Sequence, residues 1–310
     1  VTSAVKVSGG HPILVDKFLE EAIEVDVDMI CDGKDTVIGG IMEHIEEAGI
    51  HSGDSACSIP TFSLYDEVVE DIRKATKKLA LELGVIGLMN VQYAVKNSTV
   101  YVLEVNPRAS RTVPFVSKCI GTPLAKIAAS VMVGKTLKEL GFTKEIIPEY
   151  NCVKEAVLPF VRFAGVDVLL GPEMKSTGEV MGIDTDFAHA FAKSQIAANQ
   201  ALPVSGTIFV SVRNKDKRGI IFICKKLQEL GFELIATEGT AKALKQNGVM
   251  VKPVNKISQG SPHILDMILA QKIALVINTP SGKDPYADDV KISSAACRFG
   301  IPTVTTIAAA

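Results

Sequence analysis

The sequence predicts an α/β protein in two parts, a mixed α+β region followed by a doubly wound parallel sheet. Three observations carry this expectation. Before about residue 200, alternating apolar strands return on themselves through tight turns, the mark of antiparallel pairing. From about Ser205 onward, strands instead alternate with helices of about ten to fifteen residues, which implies a parallel sheet. Between the two lies "NQALPVSG" at 199–206, a polar, turn-rich stretch that divides 1–200 from 201–310.

Taken in order, the segment from Pro12 reads as a short strand or helix. In "AIEVDVDMICDG", Val25, Val27 and Met29 alternate with Glu24, Asp26 and Asp28, the period of a half-buried strand. Asp32-Gly33 with Lys34 and Asp35 signals a hairpin turn, and "TVIGGI" returns. "MEHIEEAGIHSGDSACSIP" reads as a polar loop. Ser63-x-x-Asp66 resembles a capping box for a helix whose stripe is Val68, Ile72, Ala75, Leu79 and Leu83, with Gly84 placed to end it. "VIGLMNVQYAV" and "TVYVLEVN" form a hairpin turning near Asn97. Gly121 and Pro123 split the next segment into two short helices. "VKEAVLPF" and "GPEMKSTGEVMGI" are short strands, and a helix spans about Asp186 to Asn199.

The second part reads as strand "GTIFVSV", helix Asp216–Leu230, strand "FELIAT", helix Thr240–Asn247 and strand "VMVKPV". Helix Pro262–Ala270, strand "IALVINT", helix Asp288–Phe299 and strand "IPTVTT" complete it.

Composition narrows the function. The chain has 310 residues, 47% hydrophobic and 22% charged, with a formal net charge of -2. Neither nucleic acid nor an anionic membrane is an expected partner, and the absence of Trp argues against a base-stacking platform. Six cysteines stand singly with no C-x-x-C pair, so a reduced, cytoplasmic setting is expected. The chain opens at Val1 with no initiator methionine, and a portion of a longer chain is the expectation.

The chemistry concentrates in "YVLEVNPRASRTVPF". Strand side chains repeat every two residues, so Glu104 and Asn106 share a face. A three-residue hairpin loop would put Gln92 opposite Glu104, and a two-residue loop would shift that pairing by one. Gln, Glu and Asn together suit a hard divalent cation, with Arg108 and Arg111 beyond it to neutralise a phosphoryl group. A lone Glu-x-Asn is more often a solvated hairpin face; Glu-x-Asn-Pro-Arg with a matched Gln is more specific. "MVGKT" (Met132–Thr136) ends like a P-loop, but Ala129 replaces the first required glycine, and it reads as a helix end. In the second part, Thr237-Glu238-Gly239-Thr240, Lys256, and Asn278, Thr279, Ser281 and Gly282 follow strand ends. There, hydroxyls and free N–H groups at helix starts make either a phosphate cradle or plain αβ loops with ordinary caps, and convergence of several tips favours an anion site.

"EVNPRASRTVPFVSK", with "GLMNVQYAV", "GGIMEHIEEAGIHSGDSACSIP" and "GPEMKSTGEVMG", closely resembles the second ATP-grasp half of the carbamoyl phosphate synthetase large subunit. The later part resembles the methylglyoxal synthase-like domain that ends that subunit. The resemblance implies a truncated ATP-grasp α+β domain followed by a regulatory parallel-sheet domain. It implies phosphorylation of carbamate by ATP, which yields carbamoyl phosphate and ADP, and a glutaminase small subunit as partner of the intact enzyme.

Residue by residue, the resemblance makes Gln92, Glu104 and Asn106 ligands of two Mg²⁺ or Mn²⁺ ions, with Arg108 and Arg111 on the phosphoryl group and carbamate. It puts Glu24, Gly49, Ile50, His51 and Ser52 on ATP, and His44, Glu47, Ile50 and Ser55 around K⁺, some of them through backbone oxygens. Ser211, Lys217, Thr237, Thr240, Lys256, Asn278 and Thr279 match contacts to a nucleotide monophosphate such as UMP or IMP, while Pro280 stands where some members carry Thr. Glu46, Asp54, Glu155 and Thr305 match positions that bind ornithine in some members. The family's glycine-rich lid would precede Val1, so this portion alone is not expected to turn over. The alternatives are a regulatory nucleotide-binding module without chemistry, or another ATP-grasp ligase.

Overall fold

The computed structural model describes residues 2–13, 15, 17–160, 168–279 and 283–310, with backbone alone at 2–4 and 283–287. Two sheets organise these residues, and both parts of the expected α/β class are present. The first sheet has seven strands in the order β5 (Thr99–Asn106), β4 (Ile86–Lys96), β1 (Ile23–Asp32), β2 (Thr36–Glu47), β3 (Cys57–Ile59), β6 (Asn151–Val157) and β7 (Gly178–Asp184). Every neighbouring pair is antiparallel. The second has five strands in the order β10 (Lys252–Val254), β9 (Glu233–Thr237), β8 (Thr207–Val212), β11 (Leu275–Thr279) and β12 (Thr303–Val304), all parallel.

The alternation on β1 sorts the first sheet into two unlike faces. Val25, Val27 and Met29 lie with Met89, Val91 and Tyr93 of β4 against Val68 and Ile72 of α2 (Asp66–Glu82). On the other face, Ile30, Val37 and Leu88 are covered by α3 (Val113–Cys119) and α4 (Leu124–Met132). Glu24, Asp26 and Asp28 share that face further along the strand and are buried, with Asp28 meeting the N-cap residue of α3, Thr112. One apolar residue per two positions is thus enough to bury the sheet and leave an acidic row for chemistry.

Beyond β7, α5 (Phe187–Ala197) packs back on the sheet, and Gly182 decides how closely. A Cβ there would lie 2.0 Å from the Ala190 carbonyl oxygen, so only glycine permits the contact. In the parallel sheet, α6 (Lys217–Glu229) and α7 (Glu238–Gln246) cover one side over Ile208, Val210 and Ile277. Over Phe209, Ile235 and Val276, α8 (Ile264–Leu269) and α9 (Lys283–Arg298) cover the other. Among the described residues no single helix is long and apolar enough to cross a membrane; the bent α3–α4 pair, apolar by composition, lies in the first core.

Several local expectations need correction. Residues Thr2–Val7 form a short helix, α1, and no regular element follows Pro12 among the described residues before β1. "MEHIEE" is not a loop: β2 runs on to Glu47, because Met42, Glu43, His44 and Ile45 are buried in the sheet. Ser63 does not cap α2. Its N-cap is Tyr65, and Ser63 gives its hydroxyl to the buried Glu43 carboxylate, which also accepts the Phe62 and Ser63 N–H groups at 2.8 and 2.9 Å. Buried carboxylates must be satisfied, and that need outranks a local cap. "GPEMKST" is likewise irregular, the strand starting only at Gly178. Helix starts in the second sheet shift by a few residues, with α9 beginning at Lys283.

The two sheets meet through polar contacts. The Thr306 hydroxyl donates to the Ile45 carbonyl at 3.1 Å. Arg213, just past β8, grips Glu47 at the end of β2 with both terminal nitrogens. Lys215 lies 2.9 Å from Glu21 and 3.6 Å from Glu47.

Candidate functional site

Across β1, β4 and β5 the pairing builds two polar rows. Asp26 faces Gln92, which faces Glu104; Asp28 faces Asn90, which faces Asn106. The Gln92–Glu104 pairing arises in an unexpected way. The hairpin loop has two residues, Asn97 and Ser98, both left-handed at φ 50° and 60°, as a twisted type I′ turn requires. That loop alone would pair Gln92 with Leu103. The register instead jumps from Tyr93–Val102 to Gln92–Glu104, so Leu103 is the extra residue of a β-bulge. The bulge returns Glu104 to the face shared by Gln92.

At the edge, the Asn106 amide donates to Glu104, so the two side chains meet at one point. Gln92 Nε2 donates to the Ser52 hydroxyl at 3.1 Å. The 48–55 loop therefore lies over the row, tied down by Lys154 Nζ donating to the Ser52 carbonyl at 3.0 Å. Gln92, Glu104, Asn106 and Ser52 are thus brought together. Their side-chain oxygens are the donors a hard divalent cation takes, and the set fits one.

Inward along the row, Glu24, Asp26 and His44 are buried with their ligand atoms within 4.8 Å of one another. His44 Nε2 lies 3.4 Å from Asp26 Oδ2. Burial works against the protonated imidazole, but the charges of Asp26 and Glu24 outweigh it and raise its pKa. Burial raises the Glu24 pKa, with His44 opposing. Among the described residues, Asp26 Oδ1, Ser55 Oγ and His44 Nδ1 have no hydrogen-bond partner. Unsatisfied buried oxygens fit a bound cation. Glu47 does not join this group, since its carboxylate turns to Arg213 and Lys215.

Asp28 is 1% exposed, and burial pushes its carboxyl up to about 6 against the bonds of Thr112, Asn90 and Ser110. After β5, Arg108 is exposed, and its Nη1 donates to the adjacent Ala109 carbonyl at 3.1 Å. Arg111 reaches the Met174 sulfur and opens on a cavity of about 610 Å³ that also presents Lys118, Lys154 and Glu179. In "MVGKT", Gly134 follows α4 at φ 99°, a helix end as expected.

Four residues named for ornithine are dispersed in character. Glu46 and Glu155 are carboxylates whose pKa values burial raises, Glu155 to about 8 with the Glu46 charge assisting. Asp54 accepts the Lys175 and Ser176 N–H groups at 2.7 and 2.8 Å, and Thr305 is exposed.

At the carboxyl ends of the parallel strands lies a second cavity, of about 620 Å³. Ser211, Lys217, Thr237, Thr240, Lys256, Asn278 and Thr279 all line it, gathered from β8, α6, β9, α7, the turn after β10, and β11. Their hydroxyls already interact: Ser211 with Thr237 at 3.2 Å, and Thr240 with the Val212 N–H at 3.2 Å. Asn278 Nδ2 donates to Asp289 at 2.6 Å. Pro280, Ser281 and Gly282 lie outside the described residues. The sequence did not single out Glu21, Arg213 and Lys215, which complete the rim. Arg213 and Lys215 follow the β8 strand end, where a ligand would be sought; Glu21 comes from the turn before β1 and carries no local signal.

Residues 1–140 match the family described as the carbamoyl-phosphate synthase L chain, ATP binding domain. Residues 219–305 match the MGS-like domain. The carbamoyl phosphate synthase large chain of Pseudomonas putida is 58% identical over 306 residues, 99% of this chain and 28% of its own length. Those of Archaeoglobus fulgidus and Nostoc sp. are each 56% identical, covering all of this chain and 29% of theirs. The chain therefore spans under a third of the curated relatives it matches. Among solved structures, the biotin carboxylase domain of a single-chain bacterial carboxylase overlaps 64% of this chain and 55% of its own at 16% identity. Its TM-score of 0.47 is too low to bear on function.

Proposed function

Because the chain belongs to the carbamoyl phosphate synthase large-chain family, we propose that residues 1–200 form the metal-holding wall of a carbamate-phosphorylating site and 201–310 an effector domain. The observation that carries this reading is the pair of facing rows, Asp26–Gln92–Glu104 and Asp28–Asn90–Asn106, running into Arg108 and Arg111. Gln92, Glu104 and Asn106 would hold the divalent ions, and Glu24 with the 49–52 loop would contact ATP. Divalent ions bound there supply neutralising charge on the β- and γ-phosphates. The potassium ion expected of the family would sit by Ser55 and the neighbouring 44–50 segment.

In the reaction, a carbamate oxygen bonds the γ-phosphorus while the bond to the β–γ bridging oxygen breaks. ADP leaves and carbamoyl phosphate forms. Arg108 and Arg111 offset the charge on the transferring group, and Arg111, Lys118 and Lys154 give the adjoining cavity a basic wall for the small anion. Phosphoryl transfer needs positioning and charge, with little covalent chemistry from the protein.

In the second part, Lys217 and Lys256 would neutralise the phosphate of a nucleoside monophosphate, and the Thr237, Thr240 and Thr279 hydroxyls would donate to it. The test is calorimetry with UMP and IMP beside ADP formation from ATP and carbamate, on the complete natural protein. The reading expects both activities. Nucleotide binding with no carbamate-dependent ADP would leave only a regulatory module.

A further inference from the structure

We infer that Asp28 is the positioning residue for Arg111, an inference that rests on the role just proposed for that arginine. Asp28 lies in the middle of β1, while Arg111 lies in the irregular segment between β5 and α3. Both neighbours of Arg111 in the chain are fastened to this one carboxylate. Ser110 Oγ donates to it at 2.7 and 2.9 Å, and Thr112 Oγ1 at 2.6 Å. The two hydroxyls also lie 2.8 Å from each other.

Thr112 is the N-cap of α3, where a threonine hydroxyl ordinarily accepts from the first turn of its own helix. Its side chain makes no such bond. It is spent on Asp28, so the start of α3 is pinned sideways onto the sheet. Asn90 Nδ2 donates to Asp28 Oδ1 at 2.9 Å and sits opposite Asn106 in the hairpin. One carboxylate therefore ties β4, the strand paired with the one that carries Asn106, to the segment that carries Arg111.

Neutral partners alone are an unusual choice for a buried charge, because an apolar contact or neutral amide would anchor a loop at less desolvation cost. What a carboxylate adds is short, charge-assisted bonds with definite direction. Such bonds suit a guanidinium that must meet a phosphoryl group within a fraction of an ångström.

The test is a double-mutant cycle on carbamate-dependent ADP formation by the complete natural protein. Thr112→Val keeps the shape of the side chain and removes the 2.6 Å bond. It should lower kcat about ten-fold or more, since small misplacements at such sites are costly, with the KM for ATP nearly unchanged. Thr112→Ser should restore the rate. In an Arg111→Ala background, Thr112→Val should lower the rate no further. Ser110→Ala runs the same cycle from the other anchor if either variant fails to fold. Equal losses in both backgrounds would overturn the inference and leave the proposed site standing. An unchanged rate in Arg111→Ala alone would remove Arg111 from phosphoryl transfer, and the inference with it.

Discussion

The two sheets place polar chemistry by opposite means. In the antiparallel sheet the acidic and amide side chains are neighbours on paired strands, so the site is a surface laid out by register. In the parallel sheet a short row also crosses adjacent strands, Thr237–Ser211–Asn278, but it stands at the strand ends. Helix starts and loops add the rest of the cavity lining, Lys217, Thr240 and Lys256 among it. The first arrangement is acidic and open at the β5 edge, which suits cations and a large nucleotide. The second is concave and basic, which suits one phosphate. The antiparallel site thus runs along its strands, and the parallel one sits at the carboxyl ends of its strands.

The largest expected effect breaks the first site and spares the second. In the complete natural protein, Glu104→Gln should reduce carbamate-dependent ADP formation by about 10²–10³-fold, the scale of a lost electrostatic group. UMP binding by calorimetry should be unchanged; loss of both would mean the sites are not separate. The converse variant, Lys256→Ala, should weaken nucleotide monophosphate binding by roughly ten-fold or more, the value of a charge-assisted bond. The unliganded rate of ADP formation should stay as it was, and a parallel fall in that rate would merge the two sites.

A third variant tests burial at the edge of the first sheet. The Glu155 pKa is raised from 4.5 to about 8, so folding takes up a proton between those values. Its stabilising contribution is full below pH 4.5 and is lost as pH rises through about 8. Glu155→Gln cannot ionise and escapes that loss. Its melting temperature should match the parent near pH 5 and exceed it by several degrees at pH 8.5. A constant gap across that range would contradict the assigned burial.

The smallest effect concerns the contact between the sheets. The Arg213 side chain is 15% exposed and that of Glu47 39%. Solvent screening therefore limits the pair to about 1 kcal/mol or less. Glu47→Gln should lower the melting temperature by only a few degrees, and less at 0.5 M salt than at low salt. A loss much larger than this, or one insensitive to salt, would show that the sheets depend on something other than these ions.

Much of this was legible because it is local. Alternation in "EVDVDM" assigned two faces to β1, and the spacing of Glu104 and Asn106 put them on one side. What misled was competition from distant partners. Ser63 looked like a cap until Glu43 claimed it, and "MEHIEE" looked polar enough for a loop until burial made it strand. Nor does anything near Glu47 in sequence signal that its carboxylate pairs with Arg213, 166 residues away.

The sequence by itself determined which residues alternate, where strands reverse, and that the chain changes from antiparallel to parallel pairing. These follow from side-chain periodicity and turn stereochemistry, which act over a few residues. Only the tertiary structure decided that a bulge at Leu103 sets Glu104 against Gln92, and that Asp28 anchors both flanks of Arg111. It also decided that Glu21, in the turn before β1, lines the cavity at the ends of the parallel strands. Each of these depends on how far a segment slides or turns before packing stops it, and packing is a property of the whole chain.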